Sequence, residues 1–216
     1  MALVRPGRCI PTLREELALL KSGHTAIAGL DEAGRGAWAG PVYAGAVVLP
    51  IDNPDLAALL DGVRDSKQLS PQRREALLPV IQEVAQASGI GWVDADEIDA
   101  LGIVRATELA MQRALDDLEI HVDALLIDFI RLPGVDLPQR CLPKADIHCV
   151  SVAAASIVAK VSRDHVMAAM DKRFPGYDFA SHKGYGTPAH QAALAQLGPS
   201  PIHRKTWRPI RSMLGE

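Results

Sequence analysis

The sequence of 216 residues is poor in aromatic residues and cysteine, and it has no large excess of charge of either sign. Only 4% of the residues are Phe, Trp or Tyr, so the core must be built mainly from Ala, Val, Leu and Ile. No apolar run is long enough to span a bilayer, and residues 1–8 lack the continuous apolar stretch of a signal peptide. We therefore expect a cytoplasmic protein without a membrane segment.

The three cysteines, Cys9, Cys141 and Cys149, are odd in number, and their spacing fits no zinc-binding motif. This pattern is typical of ordinary thiols in a reducing compartment. We therefore expect neither a zinc site nor a disulfide framework.

Charge is unevenly distributed along the chain, although the net charge is only −3 and argues against a general binder of polyanions. Residues 91–128 contain ten acidic and two basic side chains. Residues 181–216 contain Glu216 as their one acidic residue, against five basic residues: Lys183, Arg204, Lys205, Arg208 and Arg211. This basic segment is expected to offer phosphate groups a local surface, and a solvated tail is the alternative.

Two adjacent carboxylates, Asp31 and Glu32, follow the apolar run 26–30, which predicts a buried strand. The two carboxylates would repel each other unless a cation lay between them, and Mg²⁺ prefers oxygen ligands of this kind. The segment Gly34-Arg35-Gly36 follows, with an accessible backbone and a charge suited to phosphate. Together these features predict a metal site beside a phosphate-contacting loop, with a solvated turn as the alternative. The spacing of the glycines at 34, 36 and 40 excludes the dinucleotide-binding fingerprint.

The rest of the chain predicts further strands and helices. Ser70 and Pro71 are typical of a helix start. The strands are predicted at 26–31, 41–49, 90–94 and 124–128, with a short fifth strand between the proline-containing loop 133–143 and Asp146. The helices are predicted at 71–87, 104–118, 150–172 and 187–198. This order indicates a mixed sheet covered by helices. No linker divides the chain, so we expect one catalytic domain over residues 1–216, with residues 181–216 as a basic helical and loop appendage.

Two more carboxylates lie at comparable places, because Asp128 ends a predicted strand and Asp146 lies shortly before a long helix. Hydrolysis of a phosphodiester by two metal ions requires several carboxylates, which must come from separate strand ends. Asp31, Glu32, Asp128 and Asp146 fit that requirement.

Four segments, taken in order, resemble the ribonuclease HII family. They are Asp31-Glu32-Ala33-Gly34-Arg35-Gly36 with Gly40-Pro41-Val42, then Asp65-Ser66-Lys67, then Ala153-Ala154-Ala155-Ser156-Ile157-Val158-Ala159-Lys160-Val161-Ser162-Arg163-Asp164, and finally His182-Lys183-Gly184-Tyr185. Each motif is weak alone, but the ordered set is specific and spans residues 26–208. The resemblance implies an α/β ribonuclease H-like fold, with a five-stranded mixed sheet flanked by helices and a helical C-terminal region.

The resemblance also implies an activity, namely a Mg²⁺- or Mn²⁺-dependent endonuclease that uses two ions during catalysis. Such an enzyme hydrolyses the RNA strand of RNA–DNA hybrids and cuts on the 5′ side of ribonucleotides embedded in duplex DNA, leaving 3′-OH and 5′-phosphate ends. The implied roles are removal of replication primers and excision of single ribonucleotides. The implied catalytic residues and metal ligands are Asp31, Glu32, Asp128 and Asp146. The expected partners are these nucleic acids, bound by a monomer with no obligate protein partner, and residues 212–216 do not resemble a clamp-binding peptide.

Substrate contacts are implied in the same way. The backbone of Gly34, Arg35 and Gly36 is expected to recognise the ribose 2′-OH, and Tyr185 to pack against the deoxyribose next to the ribonucleotide. A half-buried loop aromatic is the alternative for Tyr185. Further candidates for contact with the nucleic acid are Lys67, Lys144, Ser156, Lys160, Arg163 and Lys183. A solvated loop is the alternative for Lys67, and a structural role is the alternative for Arg163.

Phe129 is a departure from the family pattern, which usually has glycine directly after the aspartate at position 128. A bulky ring therefore stands where the backbone would approach metal or substrate. This departure leaves a catalytically impaired hybrid-binding protein as an alternative function. A nuclease of the same fold with a different junction preference is the second alternative.

Overall fold

The computed structural model describes residues 10–215 of the chain. The predicted free thiol of Cys9 and the predicted lack of a signal peptide in residues 1–8 therefore concern residues outside this range. The strands are β1 (Ile27–Ala33), β2 (Val42–Val48), β3 (Ala87–Val93), β4 (Ala124–Asp128) and β5 (Gln139–Leu142). The α-helices are α1 (Arg14–Lys21), α2 (Leu56–Leu59), α3 (Pro71–Val84), α4 (Ala95–Leu101), α5 (Ile103–Asp116), α6 (Ala145–His148), α7 (Val150–Arg173), α8 (Phe179–His182), α9 (Pro188–Leu197) and α10 (Arg208–Met213).

The five strands form one mixed sheet in the order β3-β2-β1-β4-β5, as predicted. β1 pairs antiparallel with β2 and parallel with β4, and β4 pairs parallel with β5. The register places Leu30 beside Ile127, so the next residue in each strand is a carboxylate, Asp31 or Asp128. The sheet therefore brings together two acidic residues that lie far apart in sequence.

One long helix covers each face of the sheet. α7 packs against β1 and β2, and α5 packs against β2 and β3. Glycines allow this close approach, because a Cβ at Gly45 would collide with the carbonyl of Ala155 in α7, and a Cβ at Gly91 would collide with the carbonyl of Ala110 in α5. Small residues at these contacts therefore allow both helices to pack closely on the sheet.

Two predicted strands are displaced in the structure. β3 begins at Ala87 rather than Ile90, because residues Ala87 to Gly89 pair with β2. The fifth strand was expected after residue 143. In the structure this strand precedes residue 143, at Gln139–Leu142, where it pairs with β4. Asp146 consequently lies in the short helix α6 rather than beside a strand.

Other local predictions are confirmed. The Ser70 hydroxyl accepts the N–H of Arg73 and caps α3, and α7 occupies nearly the predicted range. Six short helices were not predicted individually: α1, α2, α4, α6, α8 and α10. In the helical C-terminal region, α8, α9 and α10 supply residues to a cluster around Phe179. Within residues 10–215, no helix combines the length and apolar character needed to cross a membrane.

Candidate active site

The four predicted carboxylates come from three elements at one edge of the sheet. Asp31 and Glu32 lie within the last three residues of β1, rather than after it, while Asp128 ends β4 and Asp146 lies in α6. Asp31 and Asp146 are each only 3% exposed. Burial of ionised carboxylates is unfavourable unless positive charge or hydrogen-bond donors compensate for the lost water.

Burial and neighbouring negative charge both disfavour ionisation of three of these side chains. Burial raises the pKa of Asp31 well above its usual range, and the Glu32 and Asp146 carboxylates raise that pKa further. Burial also raises the pKa of Glu32 and of Asp146, and the charge of Asp128 contributes to both shifts. The four carboxylates therefore form one cluster of concentrated negative charge.

Two polar contacts orient the cluster. The Lys67 Nζ donates to the Asp146 Oδ2 at 3.2 Å, although most of the Lys67 side chain is exposed. The Asp128 Oδ1 accepts the N–H of Ala145, at the start of α6, at 2.9 Å. Lys67 therefore supplies positive charge from the loop before α3, and α6 is tied to the end of β4.

The chemistry of the donor set fits a hard divalent cation, because every candidate ligand is a carboxylate oxygen. Within residues 10–215, no group of three or more His, Cys, Asp or Glu side chains is arranged as it stands to hold a metal ion. Binding of an ion by these four carboxylates would therefore require an arrangement of their side chains that differs from the one in this structure.

The Gly34-Arg35-Gly36 segment lies next to the cluster. The Arg35 Nη1 is 3.8 Å from the Glu32 Oε1. Gly34 has a positive φ of 87°, and a Cβ there would collide with the Arg163 side chain, so glycine is required at this position. A Cβ at Gly36 would meet no protein atom within 4 Å, which leaves the backbone of Gly36 open to a ligand.

Two fully buried arginines, Arg163 and Arg204, support the loop at residues 34–41 from the protein interior. Arg163 donates to the carbonyls of Ala39, Pro41 and Lys183 at 2.8 to 3.2 Å. Arg204 donates to the carbonyls of Gly34, Arg35 and Gly40 at 2.7 to 3.0 Å. Neither forms a salt bridge within the described part of the chain, so backbone carbonyls, together with the ring of Tyr185 against Arg163 and the ring of Trp207 against Arg204, compensate for their desolvation.

The burial of these arginines corrects two predictions. Arg163 cannot contact the nucleic-acid backbone from its buried position, so its structural alternative is the one that the geometry supports. Arg204 does not contribute to a basic surface, unlike Lys205, Arg208 and Arg211, which are exposed. Charge alone did not distinguish Arg204 from its basic neighbours, so its role as a loop support was missed.

Tyr185 lies in the segment between α8 and α9 and is 37% exposed. Its ring centroid is 5.5 Å from the Arg163 Cζ and 5.9 Å from the Lys160 Nζ. Tyr185 borders a groove of about 610 Å³ that Lys160, Lys183 and Arg74 also line. The same groove is lined by Glu75 and Asp164, and Asp164 pairs with both Arg74 and Lys160.

The remaining candidates occupy different positions. Lys144 is exposed beside Asp146 and has a left-handed backbone with a φ of 61°. The Lys160 Nζ donates to the Asp164 Oδ1 at 2.6 Å. Ser156 is buried, where its hydroxyl donates to the carbonyl of Ala153 and accepts the N–H of Ser66. Ser156 therefore supports the loop that carries Lys67, and its burial does not support the predicted contact with substrate.

Comparison with known proteins agrees with this arrangement. The family model for Ribonuclease HII matches residues 28–210. Ribonuclease HII of Roseiflexus castenholzii is 54% identical over 206 residues, which cover 94% of this chain and 91% of that protein. Ribonuclease HII of Chloroflexus aggregans is 52% identical over 204 residues, covering 94% and 96%. The crystal structure of ribonuclease H2 from Pyrococcus horikoshii gives a TM-score of 0.71 at 29% identity, covering 87% of this chain and 96% of that chain.

Proposed function

Since the chain belongs to the ribonuclease HII family, and is therefore a phosphodiester endonuclease, we propose that it acts on two related substrates. It cuts the RNA strand of RNA–DNA hybrids, and it incises duplex DNA on the 5′ side of an embedded ribonucleotide. The observation that carries this proposal is the pairing of β1 with β4, which brings Asp31 and Asp128 to neighbouring strand ends, with the open backbone of Gly36 in the loop that follows β1.

The proposed cofactor is Mg²⁺ or Mn²⁺, with two ions during catalysis, held by Asp31, Glu32, Asp128 and Asp146. Burial, together with repulsion from neighbouring carboxylates, raises the pKa of Asp31, Glu32 and Asp146, and a bound cation would relieve this unfavourable ionisation. When bound, such ions activate the attacking water and stabilise the leaving oxygen. The carboxylates themselves orient the site, and Lys67 supplies compensating positive charge beside Asp146.

The proposed recognition of ribose uses the Gly34-Arg35-Gly36 backbone, because the 2′-OH both donates and accepts hydrogen bonds. Tyr185 is proposed to pack against the deoxyribose that follows the ribonucleotide, where a 2′-OH would clash with the ring. The proposed phosphate contacts come from the exposed or half-buried lysines around the site: Lys67, Lys144, Lys160 and Lys183.

The proposed unit of function is a monomer with one catalytic domain over residues 1–216. Residues 181–216 form its basic appendage, and they supply Tyr185 and Lys183 to the groove. The proposed macromolecular partners are the hybrid and the ribonucleotide-containing duplex, bound without an obligate protein partner.

A cleavage-mapping experiment tests this proposal. A labelled DNA duplex with one ribonucleotide, a long RNA–DNA hybrid and an all-DNA duplex are incubated with the protein and Mg²⁺, Mn²⁺ or EDTA. We expect a cut on the 5′ side of the ribonucleotide and cuts within the hybrid, only with a divalent cation, and no cut in all-DNA. Binding without products would favour the hybrid-binding alternative, and a cut at another position would favour a different junction preference.

A further inference from the structure

Three buried histidines form a cluster next to Tyr185. The proposed chemistry does not use this histidine cluster. His182, His190 and His203 come from α8, from α9 and from the loop before α10, and none is more than 8% exposed. The rings of His182 and His190 stack with their centroids 4.3 Å apart. The Nε2 atoms of His190 and His203 are 2.9 Å apart.

The hydrogen-bond partners assign one neutral tautomer to each ring. The His182 Nδ1 accepts the N–H of Gly184 at 3.1 Å, so its Nε2–H donates to the carbonyl of Tyr177 at 2.7 Å. The His203 Nδ1 accepts the N–H of Ser200 at 2.8 Å, so its Nε2–H donates to His190. His190 must then donate from its Nδ1 to the carbonyl of Tyr185, which is 3.0 Å away. Each ring uses one donor and one acceptor.

The cluster is attached to a strained segment of backbone. Lys183 and Gly184 have consecutive positive φ values of 54° and 81°. Such a conformation persists in a non-glycine residue only where the surroundings determine it. Here two hydrogen bonds fix the turn on either side. The N–H of Gly184 donates to His182, and His190 donates to the carbonyl of Tyr185.

The same turn is joined to the ribose-facing loop. The carbonyl of Gly184 accepts the N–H of Trp38 at 2.8 Å, and the carbonyl of Lys183 accepts from Arg163 at 2.9 Å. Trp38 also lies against His190, with ring centroids 5.8 Å apart. A shift of the turn would therefore change the position of the Tyr185 ring relative to Gly34 and Gly36.

We propose that His182, His190 and His203 are positioning residues, a neutral hydrogen-bonded stack that fixes the turn at 183–184 and so sets the distance between Tyr185 and the ribose-facing loop. This inference rests on the proposed role of Tyr185 at the RNA–DNA junction. It predicts that junction selectivity depends on one particular hydrogen bond, from the His190 Nδ1 to the carbonyl of Tyr185.

Two substitutions at one position separate positioning from packing. His190→Asn retains a donor near the place of Nδ1, and His190→Gln retains a polar group near the place of Nε2 instead. The measured quantity is the ratio of kcat/KM for a single embedded ribonucleotide to kcat/KM for a long hybrid. We expect His190→Gln to lower this ratio about fivefold, the effect of one lost hydrogen bond, and His190→Asn to preserve it.

Tyr177→Phe is the matched control, because the Tyr177 ring packs against His203 and the substitution removes a hydrogen bond from the Tyr177 hydroxyl to the carbonyl of Gly198 without altering a contact of Tyr185. It should lower the melting temperature and leave the ratio unchanged. If His190→Gln and His190→Asn change the ratio equally, or neither changes it, the cluster only packs and the proposal is wrong. If the His190 variants do not fold, the same comparison is made with His182→Asn and His182→Gln. His182→Asn preserves the acceptor for the N–H of Gly184.

A second readout keeps this proposal distinct from the function on which it rests. Fluorotyrosine placed at position 185 reports the environment of the ring by fluorine NMR. We expect its resonance to move in His190→Gln and to remain in place in His190→Asn. An unmoved resonance in His190→Gln overturns the positioning role. If Tyr185→Ala leaves the substrate ratio unchanged while the resonance moves, the sensing role of Tyr185 is wrong and the positioning role stands.

Discussion

Phe129 has a left-handed backbone conformation, with a φ of 63°, directly after Asp128, the carboxylate that ends β4. The carbonyl of Asp128 accepts the N–H of Ile130 at 2.7 Å across Phe129, which forms a tight three-residue turn. The Phe129 side chain is 70% exposed, so the ring points away from the packed interior. The departure from the usual glycine is therefore accommodated by backbone strain rather than by crowding of the protein core.

Replacing Phe129 by glycine should stabilise the protein and change its activity little. Glycine relieves the left-handed strain of about 1 to 2 kcal/mol and restores some freedom to the unfolded chain. We expect a net increase in the free energy of unfolding of roughly 0.5 to 1 kcal/mol, measured by urea denaturation.

Phe129→Ala is the control, because it removes the ring and keeps the Cβ, and it should give no such gain. A rate within about threefold of the wild type is expected for both variants on a hybrid substrate, because contacts of an exposed ring contribute little. A large loss of activity in both folded variants would show instead that the ring contacts the substrate.

Asp31→Asn should abolish hydrolysis and leave hybrid binding nearly intact. Removal of one shared metal ligand is expected to lower the rate by several powers of ten, because the metal provides most of the electrostatic stabilisation. The same change should raise the free energy of unfolding in EDTA by roughly 1 kcal/mol, since it removes a buried charge from a cluster of like charges.

Single-turnover rates, hybrid affinity and melting curves in EDTA check these expectations for Asp31. Asp136→Asn provides the control, because Asp136 is an exposed aspartate and lies outside the cluster. Turnover by Asp31→Asn at the wild-type rate in Mg²⁺ would remove Asp31 from the catalytic site.

Tyr185 and Arg35 should differ in their effects across substrates. Tyr185→Ala is expected to lower cleavage at a single embedded ribonucleotide about ten- to hundredfold, and to lower cleavage within a long hybrid less. Arg35→Ala should weaken the binding of both substrates to the same extent. The slope of log affinity against log salt concentration should fall by the amount expected for about one phosphate contact. Rates for both variants on both substrates over a series of salt concentrations provide the test. An equal loss for Tyr185→Ala on the two substrates would make Tyr185 a packing residue.

Acid should destabilise the protein through the buried histidines. Burial lowers the pKa of His190 and of His203 to about 4, below the value of about 6.5 expected in the unfolded chain. The unfolded state therefore binds more protons between these values, so this stabilisation is complete above about pH 6.5 and is lost as the pH falls toward 4. Near pH 5, each histidine should contribute a decrease of up to about 1.4 kcal/mol per pH unit.

Burial raises the pKa of Asp31, Glu32 and Asp146, and these groups contribute a slope of the opposite sign, so the pH dependence must be compared between variants. His203→Asn keeps an acceptor for the N–H of Ser200 and removes the titrating ring. Its free energy of unfolding should fall less steeply with acid, by about one proton, in urea denaturation between pH 4 and 7. Parallel curves for the two proteins would show that His203 does not bind its proton on unfolding.

The sequence by itself determined the parts of this protein that depend on neighbouring residues. The Ser70 cap and the long helix at 150–172 follow from local propensity, and each was found in place. The ordered motifs identified the ribonuclease HII family, and the apolar runs before Asp31 and Asp128 placed those carboxylates at strand ends. Their alignment in adjacent strands follows from the fold that the family implies.

Only the tertiary structure decided the positions that depend on distant partners. Residues Ala87 to Gly89 form a strand because their backbone pairs with β2. The strand β5 forms before residue 143 because β4 pairs with it there. Arg163 bonds the carbonyl of Pro41, which is 122 residues away in sequence, so its own helix gives no sign that it supports a loop. A guanidinium group suits phosphate and backbone carbonyls equally well, and only its burial in the folded chain determines which of them it contacts.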